Sequence, residues 1–230
     1  MLTYPIRHAE SLTNANQSGG LNSGLSPLGI RQAEALARRF RGMNVTALYS
    51  SPFRRCLETA VPIAKAVKAT VRVRPELFEY HHMPVGTVVD LELDELPAIA
   101  ARYPGAALCP DWSGPHKWPP VDEPLDVMVA RMRAFAAHLK SRWTDADDVV
   151  VLVSHGSPIA RLIEAWLTDQ PGPSFRFVID NGTVSALRHF EGTSSLVCLN
   201  DTSHLSGLAP PPLGNLNPDG SIKTRPSIMF

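Results

Sequence analysis

The chain has 230 residues and carries 22 Lys+Arg against 22 Asp+Glu, a formal net charge of zero. Hydrophobic residues make up 44% and charged residues 19%, which excludes a disordered chain, and no apolar run approaches the length of a membrane span. The balanced charge argues against a nucleic-acid binder that works by broad phosphate neutralisation, but leaves room for a small, locally basic pocket. Three cysteines (Cys56, Cys109 and Cys198), with no CxxC pair, make neither a disulfide framework nor a zinc site. The segment Met1–Ile6 lacks the basic and apolar stretches of a secretory signal, so a cytoplasmic protein is expected.

Taken in chain order, Leu2–Ile6 is a strand candidate. Ser26-Pro27 opens a helix to about Arg41, with Ala33, Leu36, Ala37 and Phe40 as its apolar stripe. Ser is a preferred N-cap, and Pro fits the first turn, where its missing N–H has no intrahelical use. The strand Val45–Tyr49 leads into Ser50-Ser51-Pro52, which opens a helix to about Val67 facing inward through Ala60, Ile63, Ala64 and Val67. Pro62 within that helix predicts a kink or a later start. Val71–Val73 is a short strand.

Residues 83–122 hold a helix around Leu91–Arg102 and a Pro/Gly/Trp-rich loop from Cys109 to Pro120, read as an insertion beside or over the sheet. Trp112, His116, Lys117 and Trp118 make that loop a candidate substrate-selecting cap. A helix over 124–143 faces inward through Val127, Val129, Met132, Phe135, Ala136 and Leu139. The continuous run Val149–Val153 reads as a strand buried on both faces. It leads through Ser154-His155-Gly156 to a Ser157-Pro158 helix that ends at Leu167. After an Asn181-Gly182 turn come two strands, Thr183–Phe190 and Ser195–Leu199.

The repeated strand–loop–helix order defines an α/β protein. The expected fold is a three-layer α/β/α sandwich with a mostly parallel central sheet and an inserted helical and loop cap. The domain spans residues 1–205. The Pro-rich tail from Ser206 to Phe230 is expected either to lack fixed structure or to lie across a neighbouring subunit, and its apolar end Ile228-Met229-Phe230 suggests a homodimer.

In open α/β sheets, ligands bind beyond the carboxyl ends of the strands. Three clusters fall there, namely Arg7-His8-Ala9-Glu10-Ser11, Ser50-Ser51-Pro52-Phe53-Arg54-Arg55 and Ser154-His155-Gly156-Ser157. Two imidazoles, two arginines and the free N–H groups of helix N-termini together suit a dianion, above all a phosphoryl group. Singly, each cluster reads as a structural histidine or a solvated turn. Their shared sheet edge and shared electrostatic character point to a site.

These clusters resemble the motifs of the histidine phosphatase (phosphoglycerate-mutase-like) superfamily over nearly the whole chain. Arg7-His8-Ala9-Glu10-Ser11 with Asn14 is similar to Arg-His-Gly-Glu-Ser/Thr-x-x-Asn. Leu25–Ala33 resembles Leu-Thr-x-x-Gly-x-x-Gln-Ala. Ser50–Ala60 resembles Ser-Ser-Pro-x-x-Arg-Ala-x-Gln-Thr-Ala, which selects Arg55 over Arg54. Val153-Ser154-His155-Gly156 and Leu199–Leu205 are similar to the second histidine motif and a closing segment.

The resemblance implies that His8 is a nucleophile attacking phosphorus in line through one ring nitrogen while a backbone carbonyl holds the other. It must be neutral, and neighbouring cations lower its pKa. Arg7, Arg55, His155, Ser11, Asn14 and the Gly156 N–H would bind the phosphoryl oxygens. Glu79 would protonate the leaving group and then activate water, with Phe78 and Tyr80 partly desolvating it. Neither a metal nor another cofactor is implied.

Three departures stand out. Ala9 replaces glycine, and Glu58 stands where Gln is common. Tyr80–Gly86 replaces Gly-x-Trp-x-Gly after the acid, so His81, His82 or Glu76 stay open as sharing or taking its role. Glu10 is expected to brace its loop, and His138, His189 and His204 carry no assigned chemistry. The expected activity is hydrolysis of a small phosphorylated metabolite, because the segments that would retain a product for re-phosphorylation are not evident. A cofactor-dependent mutase and a non-catalytic phosphate-binding member are the alternatives.

Overall fold

A computed structural model describes residues 1–17, 20–79, 94–114, 117–118, 123–168 and 177–208. In chain order the first elements are β1 (Leu2–Arg7), α1 (Pro27–Phe40), β2 (Ala47–Ser50), α2 (Arg54–Val67), β3 (Val71–Val73) and a 3-10 turn (Pro75–Leu77). Then come β4 (Asp94–Glu95), α3 (Leu96–Ala101), β5 (Ala106–Leu108), β6 (Lys117–Trp118), α4 (Leu125–Arg142) and β7 (Val149–Ser154). The last are α5 (Gly156–Leu167), β8 (Val184–Phe190), β9 (Thr193–Asp201) and a second 3-10 turn (Ser203–Leu205).

The β-branched run of β7 lies at the middle of a seven-stranded sheet ordered β5-β3-β2-β7-β1-β8-β9. The strands from β5 to β1 are parallel, whereas β8 and β9 are antiparallel additions. Pairing alternates by face, as the pleat requires. Val151 and Val153 pack with Leu48, Leu36, Phe40, Leu57 and Ile63 beneath α1 and α2. Val150 and Leu152 pack with Tyr49, Met132, Phe135, Leu162 and Trp166 beneath α4 and α5. The three-layer sandwich with its mostly parallel sheet is therefore present.

Because β7 separates β1 from β2, the crossover through α1 leaves a slot that the chain fills much later. This is a topological switch point. Register places Arg7 opposite Ser154 and Ser50 opposite Val153, so the next residues (His8, Ser51 and His155) leave the sheet at one edge. Pro5 sits inside β1, a central strand, where it cannot donate to a ladder. Pairing with β8 runs through Leu2, Thr3 and Ile6 and skips it.

Several boundaries differ from the sequence reading. Ser26 caps α1, its side chain accepting from the Gly29 N–H at 3.0 Å. The other two Ser-Pro pairs do not act as caps. α2 begins at Arg54 after Phe53, and α5 begins at Gly156 with His155 at the N-cap position. In α5 Pro158 falls within the first turn, where a missing N–H still costs no intrahelical bond. α4 buries Met128, Met132, Phe135, Ala136 and Leu139, while Val127 is 50% exposed. The buried set is spaced by four, three, one and three residues, the stripe of a 3.6-residue period, and Val127 falls off it.

Within 83–122, the helix is the short α3, Leu96–Ala101, and residues 91–93 of the expected span lie outside the described residues. The sequence did not disclose β5, which pairs in parallel with β3 and extends the main sheet, or the β4–β6 ladder. His81, His82 and His116, and the tail from 209 onward, also lie outside the described residues. No described helix is long and apolar enough to cross a membrane.

Candidate active site

His8 follows directly on β1, and its backbone N–H donates to the Ser154 carbonyl at 2.9 Å, continuing the pairing with β7. Its ring is 2% exposed. Nδ1 lies 2.8 Å from the Ala9 carbonyl oxygen, so that nitrogen carries the proton and donates. Nε2 is then the lone-pair nitrogen, and it accepts from Arg55 Nε at 3.1 Å. Burial first, then the charges of Arg55 and Arg7, hold the His8 pKa well below its ordinary value, outweighing the opposing effect of the Ala9 carbonyl. Neighbouring cations were the expected cause, but desolvation is the larger one.

Arg55 is 7% exposed and reaches both histidines. Besides His8 it donates to the Leu21 carbonyl at 2.8 Å and, through Nη2, to His155 Nδ1 at 3.2 Å. That leaves the His155 proton on Nε2, 2.9 Å from Ser51 Oγ, which accepts it. The two imidazole rings stand 5.1 Å apart at 65°. Glu79 brings Oε2 to 3.8 Å from His155 Nδ1, beyond hydrogen-bond range. Arg54 points elsewhere, pairing with Glu58 at the surface. Glu76 pairs with Arg74 at 2.8 Å.

Arg7 donates through Nη1 to the Ile179 carbonyl. A Cβ added to Gly156, at the start of α5, would lie 3.7 Å from the Arg7 guanidinium carbon, an ordinary contact distance. Asn14 Oδ1 accepts from Ser11 Oγ at 2.9 Å, from Ser11 N at 3.3 Å and from Asn181 Nδ2 at 3.2 Å. With that oxygen occupied, the Asn14 amide NH2 is the group left to meet an anion. Ser11 therefore acts on its neighbour, orienting Asn14.

The departures from the motif pattern have local explanations. Ala9 is not among the residues with positive φ, so a methyl costs nothing there. Its N–H donates to Thr59 Oγ1 at 3.0 Å. Glu58 Oε2 accepts from the Leu25 N–H at 2.7 Å and Oε1 from Arg54 Nε at 2.7 Å, so each donor meets its own carboxylate oxygen, whereas Gln would turn an NH2 toward one of them. Glu10 accepts from Ser26 Oγ at 2.6 Å and gives its N–H to Gln32 Oε1 at 2.8 Å, which makes it a brace.

Sequence reasoning missed Asn181. The Asn181-Gly182 pair is a turn, with Gly182 at φ 71°, but the Asn side chain is buried and donates to the His8 carbonyl at 3.0 Å. Gly182 N–H is shared between the carbonyls of Arg7 and His8, both at 3.1 Å. No signal in the chain marks Asn181 beyond its turn propensity. Cys56, although 3.4 Å from His155 Nε2, is inert, because burial pushes its thiol up to about 12.

Two imidazoles and two guanidiniums meet at the switch point of a mostly parallel sheet. The chain belongs to the histidine phosphatase superfamily (branch 1), whose family profile matches residues 3–202. It is 28% identical over 204 residues to phosphoserine phosphatase 1 of Hydrogenobacter thermophilus, covering 87% of this chain and 92% of that protein. It is 33% identical over 170 residues to glucosyl-3-phosphoglycerate phosphatase of Mycolicibacterium vanbaalenii, covering 70% and 72%. A solved mycobacterial glucosyl-3-phosphoglycerate phosphatase shares the fold at a TM-score of 0.62 and 24% identity, covering 87% of this chain and 99% of that one.

Proposed function

We propose that this chain is a metal-independent phosphomonoester hydrolase that acts on a small phosphorylated metabolite through a phosphohistidine on His8. The observation that carries this reading is the single free-base nitrogen of His8, facing Arg55 while its other nitrogen is tied to the Ala9 carbonyl. The His8 Nε2 lone pair attacks phosphorus, the P–O ester bond breaks, and Glu79 gives its proton to the departing oxygen. Glu79, now a carboxylate, takes a proton from water as that water attacks phosphorus. The P–N bond breaks, and the lone pair returns to Nε2. Arg7, Arg55, His155, the Asn14 amide and the Gly156 N–H meet the three equatorial oxygens, where charge gathers in a loose transition state.

The named relatives act on phosphoserine and glucosyl-3-phosphoglycerate, each a phosphoester of a small organic acid. Phosphorylated carboxylic acids are therefore the first substrate class to assay. In this reading the catalytic unit spans residues 1–205 with 83–122 as its cap, in a cytoplasmic protein that forms a homodimer through the tail from Ser206 onward. Truncation at Ser206 should then lower the sedimenting mass to that of one chain.

The decisive assay is hydrolysis of p-nitrophenyl phosphate in EDTA. It should proceed in the native chain and vanish in His8→Ala, and quenched turnover of a radiolabelled donor should leave the label on His8. Turnover that survives in His8→Ala, or that needs added metal, overturns the reading. Bisphosphoglycerate-stimulated isomerisation of phosphoglycerate would assign the pocket to a mutase instead. In Glu79→Gln, alkyl phosphates should suffer far more than aryl ones, whose leaving groups need little protonation.

A further inference from the structure

Arg131 lies on α4, remote in sequence from both histidines, and its guanidinium is fully engaged. Its Cζ sits 3.8 Å from the centroid of the Phe78 ring. Nε and Nη2 donate at 2.7 and 2.6 Å to the two oxygens of Glu123, itself 4% exposed. Nη1 donates to the carbonyl of Glu76 and, at 3.4 Å, to that of Phe78. The carbonyl between them, that of Leu77, accepts from Ser154 Oγ at 2.7 Å. Three successive carbonyls are thus held from outside their own segment, and the next residue is Glu79.

A buried ion pair of this kind is a poor stabiliser. Desolvating a guanidinium and a carboxylate offsets most of their attraction, and an apolar pair of similar volume often serves the fold as well. What the pair supplies is geometry. A planar fork fixed by a bidentate carboxylate aims its remaining N–H at one place. Here that place is the backbone of Glu76–Phe78, whose other anchor, Ser154, directly precedes His155. The segment is therefore referenced at once to α4 and to the strand end that carries the second imidazole.

We infer that Arg131, oriented by Glu123, is a positioning residue that holds the Glu76–Phe78 backbone so that the Glu79 carboxyl meets the leaving oxygen. This rests on the hydrolase reading with Glu79 as the acid. It predicts a loss confined to reactions that need a proton delivered. A general acid contributes about 10²- to 10⁴-fold, and a displacement of about 1 Å can forfeit a large part of that.

The test compares kcat/KM for β-glycerophosphate and p-nitrophenyl phosphate in the native chain, Arg131→Met, Arg131→Lys and Glu123→Gln, with His8→Ala in parallel. Arg131→Met should lose about 30-fold or more on the alkyl ester and less than about threefold on the aryl ester. Arg131→Lys, which keeps the charge but not the fork, should fail to restore the alkyl rate. Glu123→Gln should show the same selectivity at smaller amplitude, and it decides the matter if Arg131→Met does not fold. Equal losses on both esters, or none, overturn the inference while leaving the hydrolase reading intact. Activity that persists in His8→Ala brings down the reading itself.

Discussion

Arg55 Nε stands 3.1 Å from His8 Nε2 and gives its N–H to the ring's only lone pair. The His8 lone pair is therefore aimed but capped, and in the proposed mechanism an incoming phosphoryl group must take over the arginine's hydrogen bond before attack.

The acid limb of kcat/KM follows from that contact. A neutral His8 is required, and burial, Arg55 and Arg7 hold its pKa well below 6.5, so the limb lies below pH 6.5. Arg55→Met removes one of the lowering charges, and the limb should move to higher pH. Loss of a transition-state cation should also lower kcat/KM by about 10²-fold. Profiles with p-nitrophenyl phosphate check both, and an unmoved limb would mean that His8 is not the titrating nucleophile.

The same depressed pKa has a stability consequence of definite sign. The unfolded chain binds a proton on His8 near pH 6.5 and the folded chain does not. His8 therefore favours the fold fully above that pH, and the contribution is lost as pH falls toward the folded value. Urea midpoints should show native stability dropping more steeply below pH 6.5 than that of His8→Asn. Parallel curves would contradict the burial argument.

Asn181 joins the His8 carbonyl to Asn14. Asn181→Ala frees the Asn14 amide to rotate and loosens the His8 backbone, so kcat should fall about tenfold or more through lost positioning. Steady-state kinetics and a thermal melt measured together separate this from unfolding. A kcat within about twofold of the native chain would remove Asn181 from the site.

Glu58→Gln restores the residue common in the motif, yet it should destabilise this chain. The Leu25 N–H and Arg54 Nε meet different carboxylate oxygens, and Gln replaces one of those oxygens with an NH2 that faces a donor. With the pair partly exposed, a cost of about 1 kcal/mol is expected from denaturant titration. A gain in stability would show that the carboxylate's second bond contributes nothing.

Gly29→Ala should be severe. A Cβ there would meet the Glu10 carbonyl oxygen at 1.9 Å, and that oxygen also accepts from the Ser26 N–H. Backbone must shift in the loop that follows His8, costing about 1–3 kcal/mol or more. Both the denaturation midpoint and the turnover should drop. A soluble variant with native stability would refute the close approach.

How much was legible in the chain differs from element to element. The strand at 149–154 stands out because burial on both faces demands an unbroken apolar run, whereas those at 2–7 and 47–50 are marked more weakly, by the polar clusters that follow them. The helices on either side show a 3.6-residue stripe. The strand Ala106–Leu108 does not, because an edge strand of three residues, Ala-Ala-Leu, has too little pattern to separate it from a loop. Two Ser-Pro pairs misplace helix starts, because a proline is tolerated anywhere in the first turn. Val127 was assigned inward, because neighbouring apolar residues hide which phase of the stripe faces the sheet.

The residue types of the site, their order, and their placement after strands were written in the sequence alone, since a phosphoryl pocket needs imidazole, guanidinium and helix N-termini in recognisable runs. Only the tertiary structure decided which nitrogen of His8 is free, that Asn181 and Ser51 orient its neighbours, and that a guanidinium from α4 clasps the segment before Glu79. Hydrogen-bond partners 50 to 173 residues apart leave no local trace, because what couples them is the closing of the sheet around β1 and not any spacing along the chain.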